Sequence, residues 1–324
     1  MALLEIRNLT VEFDTTRGNL RAVEGLDLDV DVGDALGIVG ESGSGKSVSL
    51  LAIMGLLPSS AVVRADRLVF DGLDLTRMSA RERQRINGRE IAMIFQEPMT
   101  SLNPCFTIGF QIVETLNAHA QLSGAAAQRR ATELLETVGI PDPGEALRRF
   151  PHQLSGGMNQ RVMIAMAIAC KPRLLLADEP TTALDVTIQA QILDLLSALR
   201  RSQGMALVLV THDIGVVAET AARMLVMYAG QSLEAGAVQV LLERPEHPYT
   251  AGLLDALPER NLGRDRMAAI PGTVASLTPP PPGCRFAARC VHAVDRCRVA
   301  PPAVVGTAAA WARCHFPHRR ADHA

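Results

Sequence analysis

The 324-residue sequence has no apolar run approaching the roughly 18–20 residues that a membrane-spanning helix needs. Its beginning, MALLEIRNLTVEF, lacks the basic n-region and apolar h-region of a signal peptide, so we expect a cytosolic protein. A net charge of −2 gives no electrostatic case for nucleic-acid binding. A hydrophobic content of 48% allows a substantial core, which excludes a disordered or fibrous chain. In a reducing compartment its six cysteines do not by default form disulfides.

Lysine is almost absent, since the basic residues are 30 arginines and two lysines, Lys46 and Lys171. Charge is also distributed unevenly along the chain. Residues 1–257 hold 22 basic and 30 acidic side chains, a net charge of −8, whereas residues 258–324 hold 10 and 4, a net charge of +6. Four prolines at 279–282 predict a stiff connection within the second region. We therefore predict a large domain over 1–257 and a chemically different extension over 258–324.

Three short apolar runs are typical of buried strands: ALGIVG at 35–40, LLLAD at 174–178 and ALVLVTHD at 206–213. The first 35 residues instead alternate apolar and polar side chains, which predicts half-buried antiparallel strands. Residues 97–170 contain no comparable run and are predicted to form a helical insertion. Buried strands that alternate with helices favour a parallel α/β sheet with ligands at the carboxyl ends of its strands.

A glycine-rich loop follows the first buried strand and precedes a predicted helix. Its sequence fits G-x-x-x-x-G-K-[ST] and consists of Gly40, Glu41, Ser42, Gly43, Ser44, Gly45, Lys46 and Ser47. The glycines allow successive backbone N–H groups to turn inward around phosphate oxygens, and the helix adds its positive N-terminal end. Lys46 would place a compact charge on the β- and γ-phosphates, and Ser47 would bind Mg²⁺.

The strand LLLAD ends in two carboxylates, Asp178 and Glu179, at the edge of the sheet where phosphates are expected. Asp178 would hold Mg²⁺ through water, and Glu179 would polarise the attacking water as a general base. An Asp-Glu pair after a strand is common by itself. Together with the loop at 40–47 it predicts nucleotide hydrolysis.

The sequence Leu154-Ser155-Gly156-Gly157-Met158 resembles the signature motif of the ATP-binding subunits of ABC transporters. That resemblance implies a P-loop ABC ATPase cassette: a RecA-like parallel sheet core, an antiparallel β subdomain and a helical subdomain at about 97–170, here followed by a small cysteine-containing C-terminal extension. It also implies that Ser155, Gly156 and Gly157 form a second anion cradle for the γ-phosphate held by an opposing subunit, at the start of a helix running from about Asn159. The family usually has Gln where this chain has Met158; we expect function to be retained.

Further motifs resemble the same family. Gln96, the last residue of the predicted strand IAMIFQ, is similar to the Q-loop residue that contacts Mg²⁺ and senses the membrane partner. Ala183-Leu184-Asp185 resembles the D-loop, which meets its twin across a dimer, and His212 resembles the switch histidine at the γ-phosphate. The resemblance also implies that Phe13 stacks on adenine, although a phenylalanine in such a strand is more commonly a core residue.

Two segments resemble the oligopeptide, dipeptide and nickel importer branch: QEPMTSLNP at 96–104 and HPYT at 247–250. Without the resemblance, HPYT would be interpreted as a turn before a helix. The branch implies an ATPase subunit at the cytoplasmic face of the cell membrane that powers peptide import, or alternatively nickel import. Its implied partners are a second, homologous ABC ATPase subunit in a heterodimer, two transmembrane permease subunits and an extracytoplasmic substrate-binding protein.

Other classes of P-loop protein fit the sequence less well. A non-transport ABC ATPase acting on DNA or the ribosome would usually carry long coiled coils or two tandem cassettes, and this sequence has neither. Its acidic cassette also disfavours a nucleic-acid partner. A P-loop kinase or GTPase would be expected to show a lid or a guanine-reading motif, and the signature sequence would then be accidental.

The extension contains Cys284, Cys290, Cys297 and Cys314 in the spacing C-x5-C-x6-C-x16-C, without the C-x2-C pairs usual in zinc ribbons. A segment this small and poor in aromatic residues often needs a staple. Four thiolates could hold a [4Fe–4S] cluster or a zinc ion, or remain uncoordinated. The +6 charge would offset an anionic cluster, and the resemblance to the peptide-importer branch favours the iron–sulfur interpretation with a structural role.

Overall fold

A computed structural model describes residues 2–16, 18–182, 184–262, 268–275, 277–278 and 280–317. Ala183 of the predicted D-loop and Pro279 of the proline run lie outside these residues. The chain divides into two compact units. In the described residues, the first unit comprises 31–34 and 77–210, and the second comprises 2–30, 35–76 and the residues from 211 onward.

The strands are, in chain order, β1 Leu4–Thr15, β2 Gly18–Val30, β3 Ala35–Val39, β4 Ala61–Arg64, β5 Arg67–Phe70, β6 Leu73–Asp74, β7 Ile91–Ile94, β8 Leu174–Asp178, β9 Ala206–Thr211, β10 Arg223–Tyr228, β11 Gln231–Ala237, β12 Val304–Gly306 and β13 Trp311–Arg313. The helices are α1 Lys46–Met54, α2 Ala80–Ile86, α3 Pro98–Ser101, α4 Ile108–Ala120, α5 Gly124–Thr137, α6 Pro143–Ala146, α7 Gly156–Ala167, α8 Val186–Gln203, α9 Ile214–Thr220, α10 Val238–Glu243, α11 Pro248–Asp255 and α12 Asp295–Val299. Short 3₁₀ turns occur at Leu75–Arg77, Pro151–Gln153 and Pro258–Asn261.

The first unit contains parallel strands in the order β9-β8-β7. Leu174 of β8 pairs with Ala206 of β9 on one side and with Ile91 of β7 on the other. Every residue of β8 and β9 is buried, as expected for strands covered on both faces. Helices α3 to α7 lie in the stretch 97–170, where the sequence predicts helices, and the bounds of a separate helical insertion stay a prediction.

The second unit contains an antiparallel group in the order β2-β1-β5-β6, with β4 pairing to β1 as well. This group is the antiparallel β subdomain that the sequence predicts. A further group in the same unit runs β12-β13-β11-β10-β3, in which β10 and β3 are parallel. The strand β3 is buried throughout and leads directly into the glycine-rich loop and α1, so the sheet positions that loop.

The cysteine-bearing extension packs within the second unit. Its strand β13 pairs with β11, with Ala235 opposite Trp311. Phe286 of the extension joins a buried cluster in which its ring lies 5.3 Å from that of Tyr228 and 5.2 Å from that of Tyr249, centroid to centroid. The boundary between 257 and 258 therefore stays a prediction, while the core of this unit includes residues from both sides of it.

Candidate nucleotide-binding site

The loop at 40–47 makes backbone contacts that require glycine at two positions. A Cβ atom on Gly40 would lie 2.1 Å from the carbonyl oxygen of Met227. Gly45 has φ of 98°, and a Cβ there would lie 2.6 Å from the carbonyl oxygen of Ala22. The loop is thus held against neighbouring backbone on two sides, as expected for a preformed phosphate cradle.

Lys46 is the first residue of α1 and is only 4% exposed. Its Nζ atom donates hydrogen bonds to the carbonyl oxygens of Gly40 at 2.7 Å and Glu41 at 3.0 Å. The loop therefore encloses the ammonium group, which is predicted to bind the phosphates. Ser47 follows in the first turn of α1, at the positive end of the helix.

Glu179 lies immediately after β8 in a left-handed backbone conformation, with φ of 44°. For a residue other than glycine this conformation costs of order 1–3 kcal/mol, and residues held in it are concentrated at functional sites. Its carboxylate accepts hydrogen bonds from Thr182 Oγ1 at 2.9 Å and, at a longer 3.4 Å, from Gln96 Nε2. The structure thus brings together two predicted residues, Gln96 and Glu179. Asp178, the last residue of β8, is 4% exposed.

The signature segment forms the beginning of α7. Ser155 is the N-cap residue, and its Oγ accepts a hydrogen bond from the backbone N–H of Met158 at 3.3 Å. Because this cap starts the helix at Gly156, the expectation of a helix from about Asn159 was wrong by one turn. Gly156 has open space around it, whereas a Cβ on Gly157 would lie 3.0 Å from Ile188.

Three further predicted residues occupy the ends or edges of elements. Asp185 caps α8, with its Oδ1 accepting from the backbone N–H of Ile188 at 3.0 Å. His212 follows β9 directly and is exposed. Phe13 is half-buried in β1, opposite Leu20 of β2. The roles assigned to these three residues remain predictions.

The HPYT segment, which without the resemblance is interpreted as a turn before a helix, forms the N-terminal cap and the first residues of α11. His247 caps that helix through its Nδ1 atom, which accepts from the backbone N–H of Tyr249 at 3.0 Å. Complete burial lowers the pKa of His247 to about 3. Glu234 of β11 accepts from the backbone N–H groups of Glu246 at 2.6 Å and of His247 at 3.1 Å.

Two side chains of the second unit, neither of them predicted from the sequence, form hydrogen bonds with the loop at 40–47, here called the phosphate loop. The hydroxyl of Tyr249 accepts a hydrogen bond from the backbone N–H of Glu41 at 3.0 Å. The guanidinium of Arg289 donates to the carboxylate of Glu41 at 2.8 Å. The only available sequence signals were the HPYT segment for Tyr249 and the excess of arginine in the extension for Arg289.

The four cysteines of the extension line one cavity of about 20 Å³: Cys284, Cys290, Cys297 and Cys314. Burial raises the pKa of the Cys284 thiol to about 11, which favours the protonated form unless a cation compensates. All six cysteines, each within the described residues, are free of disulfides. Across the described part of the chain, no group of three His, Cys, Asp or Glu side chains is placed closely enough to hold a metal ion. The donor set has the right number and kind of ligand for a cluster, but not the ligating arrangement.

Comparison with known families gives two matches along the chain. Residues 23–182 match the ABC transporter model, and residues 233–297 match the model of the oligopeptide/dipeptide transporter C-terminal region. The first match contains the phosphate loop, the signature and the Asp-Glu pair. The second contains the HPYT segment and three of the four extension cysteines.

Curated relatives are similar over nearly the whole chain. The dipeptide transport ATP-binding protein DppD of Escherichia coli K12 is 53% identical over 318 residues, which are 98% of this chain and 97% of that protein. The oligopeptide transport ATP-binding protein OppD of Bacillus subtilis 168 is 50% identical over 294 residues, covering 90% of this chain and 82% of that protein.

A solved structure has a similar fold. It is described as a dimeric, post-hydrolysis state of the ATP-binding cassette MJ0796 bound to ADP and Pi. The match has a TM-score of 0.65 at 28% identity and covers 72% of this chain and 98% of that one. The ABC ATPase cassette fold predicted from the sequence is thereby confirmed.

Proposed function

Since this chain belongs to the ABC transporter family, we propose that it is the ATP-hydrolysing subunit of a membrane importer that takes up peptides. The observation that carries the proposal is the similarity to dipeptide and oligopeptide transport ATP-binding proteins, which extends through the C-terminal region. The described residues include no helix long and apolar enough to cross a membrane. In the proposed importer, the peptide would pass through the permease subunits.

The geometry of the phosphate loop supports ATP as its ligand. Gly40 and Gly45 pack so closely against neighbouring backbone that neither position has room for a side chain. Helix α1 begins at Lys46, whose ammonium group the loop encloses. Backbone N–H groups of the loop would bind the phosphate oxygens, and Lys46 would add a positive charge at the β- and γ-phosphates. Phe13 would stack on the adenine ring.

Glu179 is proposed as the general base that takes a proton from the attacking water. Thr182 and Gln96 would orient its carboxylate, as their hydrogen bonds to it indicate. His212 would contact the γ-phosphate from the end of β9. A magnesium ion held by Ser47, Asp178 and Gln96 would neutralise charge that develops on the phosphates.

The nucleotide site is proposed to be completed by a second ATPase subunit. Ser155, Gly156 and Gly157 would face the γ-phosphate bound by the partner, with Asp185 at the dimer contact. The family branch favours a homologous partner, and so a heterodimer, working with two permease subunits and an extracytoplasmic binding protein. This assembly would place the chain at the cytoplasmic face of the membrane. The two ATPase subunits would close together when ATP binds and reopen after hydrolysis, and this cycle would drive the permease.

The test is uptake by the reconstituted importer, assembled with its permease and binding-protein subunits in liposomes. We expect ATP-dependent accumulation of a labelled dipeptide, abolished by Lys46→Ala. Lys171→Arg is the matched control, because Lys171 is the other lysine and is exposed. Uptake of nickel instead of peptide would contradict the substrate class. ATP-independent uptake would contradict the function itself.

We further propose that the extension binds a [4Fe–4S] cluster through Cys284, Cys290, Cys297 and Cys314, with zinc as the alternative. The proposal is supported by the four thiols that line one cavity and by the basic charge of the extension, which would balance an anionic cluster. Because the thiols are not arranged to ligate, they would have to move toward one another when the cluster binds. The group would act as a staple for a small segment and would take no part in hydrolysis.

Anaerobic purification with metal analysis tests this second proposal. A broad absorption shoulder near roughly 400 nm with about four iron atoms per chain is expected. Cys290→Ser should remove both signals, while Cys105→Ser, at an exposed cysteine outside the extension, should leave them unchanged. Stoichiometric zinc without iron, or no metal, would contradict the cluster.

A further inference from the structure

Glu41, the second residue of the phosphate loop, is held at three of its groups. Its carbonyl oxygen accepts from Lys46 Nζ at 3.0 Å, its backbone N–H donates to the Tyr249 hydroxyl at 3.0 Å, and its carboxylate accepts from Arg289 at 2.8 Å. One of these contacts belongs to the loop. The other two come from residues far along the chain, 208 and 248 positions away.

Tyr249 offers a rigid support for this contact. It is fully buried, and its ring lies 4.7 Å from that of Tyr228 and 5.2 Å from that of Phe286, centroid to centroid. His247 fixes the first turn of α11, from which Tyr249 projects. Burial raises the pKa of the Tyr249 hydroxyl, so the group remains a neutral phenol at physiological pH.

Arg289 is fixed as firmly, although it lies in the basic extension next to Cys290. Its side chain is only 6% exposed, and its Nε atom donates to the carbonyl oxygen of Pro271 at 2.7 Å. A second terminal nitrogen donates to the carbonyl oxygen of Ile270 at 3.3 Å. A buried guanidinium with these partners is directed at Glu41 in a single orientation, so it cannot be exchanged freely for another cation.

A second arginine of the extension supports the opposite side of the same loop. Arg285, next to Cys284, donates to the carbonyl oxygen of Ala229 and to the carboxylate of Glu24. The neighbouring Gly230 donates its backbone N–H to the carbonyl oxygen of Ser44 at 3.0 Å. The extension therefore supports the loop directly at its second residue, Glu41, and indirectly, through Ala229 and Gly230, at its fifth residue, Ser44.

We infer that Arg289 and Tyr249 are positioning residues for ATP binding: they hold Glu41, and through its carbonyl oxygen they hold Lys46 in place for the phosphates. The inference rests on the proposed function, since it concerns the affinity of that same site. It assigns to the extension a role in nucleotide binding in addition to a structural one. Neither residue is expected to touch the nucleotide.

The experiment measures two quantities on the assembled transporter: equilibrium binding of adenylyl imidodiphosphate, a non-hydrolysable ATP analogue, and steady-state ATP hydrolysis. Arg289→Ala is expected to weaken binding and raise KM for ATP by roughly tenfold, with kcat within about twofold of wild type. Tyr249→Phe keeps the buried ring and removes the acceptor for Glu41, so it should weaken binding by roughly threefold. Arg289→Lys should restore part of the lost affinity.

Two controls separate positioning from general support of the fold. Arg298→Ala removes an exposed arginine of the same extension and should leave affinity and kcat unchanged. In a double-mutant cycle, Arg289→Ala should have little further effect once Glu41→Gln has removed the charged partner. If Arg289→Ala fails to fold, analogue binding by Tyr249→Phe and Arg289→Lys tests the inference instead.

Wild-type affinity in both Arg289→Ala and Tyr249→Phe would overturn the inference, as would additive effects in the cycle. A fall in kcat at unchanged affinity would overturn it too, because the residues would then act on the chemical step. If the wild-type transporter itself did not bind the analogue, the proposed function would be overturned, and the inference with it.

Discussion

The phosphate loop of the second unit and the Glu179 corner of the first unit are held in different ways. Glu179 relies on Thr182, three residues away, and on a long hydrogen bond from Gln96, itself a motif residue. Glu41 is held by Tyr249 and Arg289, which belong to no nucleotide-binding motif. The proposed general base is thus positioned by residues of its own motifs, whereas the phosphate loop is held by the distant C-terminal part of the chain.

This difference predicts a separation of kinetic effects. If Glu179 is the general base, as proposed, changes at the Glu179 corner should alter the rate of the chemical step. Changes in the support of the phosphate loop should alter the affinity for ATP, because the proposed loop contacts would bind phosphates in the ground state and the transition state alike. Four predictions test or refine the separation, from the largest expected effect to the smallest.

Replacing Glu179, the proposed general base, should give the largest effect. Glu179→Gln keeps the shape of the side chain but removes its basicity, so turnover should fall by roughly 10²–10⁴ while ATP binding is retained. Single-turnover hydrolysis and equilibrium ATP binding by the assembled transporter measure the two quantities. Near-normal turnover would show that Glu179 is not the base, and weakened binding would contradict the separation.

A methyl group at Gly40 should act on affinity instead. Gly40→Ala places a Cβ atom 2.1 Å from the carbonyl oxygen of Met227, so the loop must shift. If the shifted loop loses about 3 kcal/mol of binding free energy, near the upper end of the cost of a strained site, the affinity for ATP would fall by roughly 100-fold. Gly144→Ala, where the added atom meets open space, is the matched control. Unchanged ATP affinity in Gly40→Ala would contradict the tight support of the loop.

The support of Tyr249 should be sensitive to acid through His247. Burial lowers the pKa of His247 to about 3 in the folded chain, against about 6.5 when unfolded. Between these values the unfolded chain binds more protons, so stability is complete above about pH 6.5 and declines as the pH falls. At about pH 5 this linkage amounts to about 2 kcal/mol.

His247→Asn is the informative variant for this prediction, because asparagine can also cap α11 but does not titrate. Denaturant unfolding between about pH 5 and pH 7 should show a shallower pH dependence in the variant than in wild type. Burial also raises the pKa of Glu234, and its effect on the pH dependence of stability is the same in wild type and in the variant. Identical slopes would contradict a buried, neutral His247.

The smallest effect is expected at the cap of α7. Ser155→Ala removes the acceptor for the backbone N–H of Met158 and should lower the free energy of unfolding by about 1 kcal/mol. Ser155→Thr should recover most of that loss. Calorimetric unfolding of the two variants measures the difference. A loss of several kcal/mol would mean that this region depends on distant contacts as the phosphate loop does.

Much of the fold could be predicted from the sequence because its signals are local. The strand predicted at 174–178 coincides with β8, and the helical insertion and the antiparallel group appear where composition and alternation place them. Spacing also predicted the phosphate loop and the Asp-Glu pair, whose roles remain proposals. The start of α7 was missed by one turn because a serine cap admits glycines into the first helical turn.

The support of the phosphate loop could not be predicted in this way. A contact between residues more than 200 positions apart leaves no periodicity or spacing in the sequence. Arg285 and Arg289 counted only toward the +6 charge of the extension, yet both side chains are buried and paired with acidic residues. Net charge measures a region's composition and does not distinguish a solvated arginine from a buried one.

The contact between Arg289 and Glu41 also has a thermodynamic consequence in the reverse direction. If the extension favours ATP binding by a certain free energy, bound ATP must favour the ordered extension by the same amount. Hydrogen exchange of backbone amides around Arg289 should therefore slow when nucleotide is added, although those amides belong to no nucleotide motif. The extension would then report whether the site is filled.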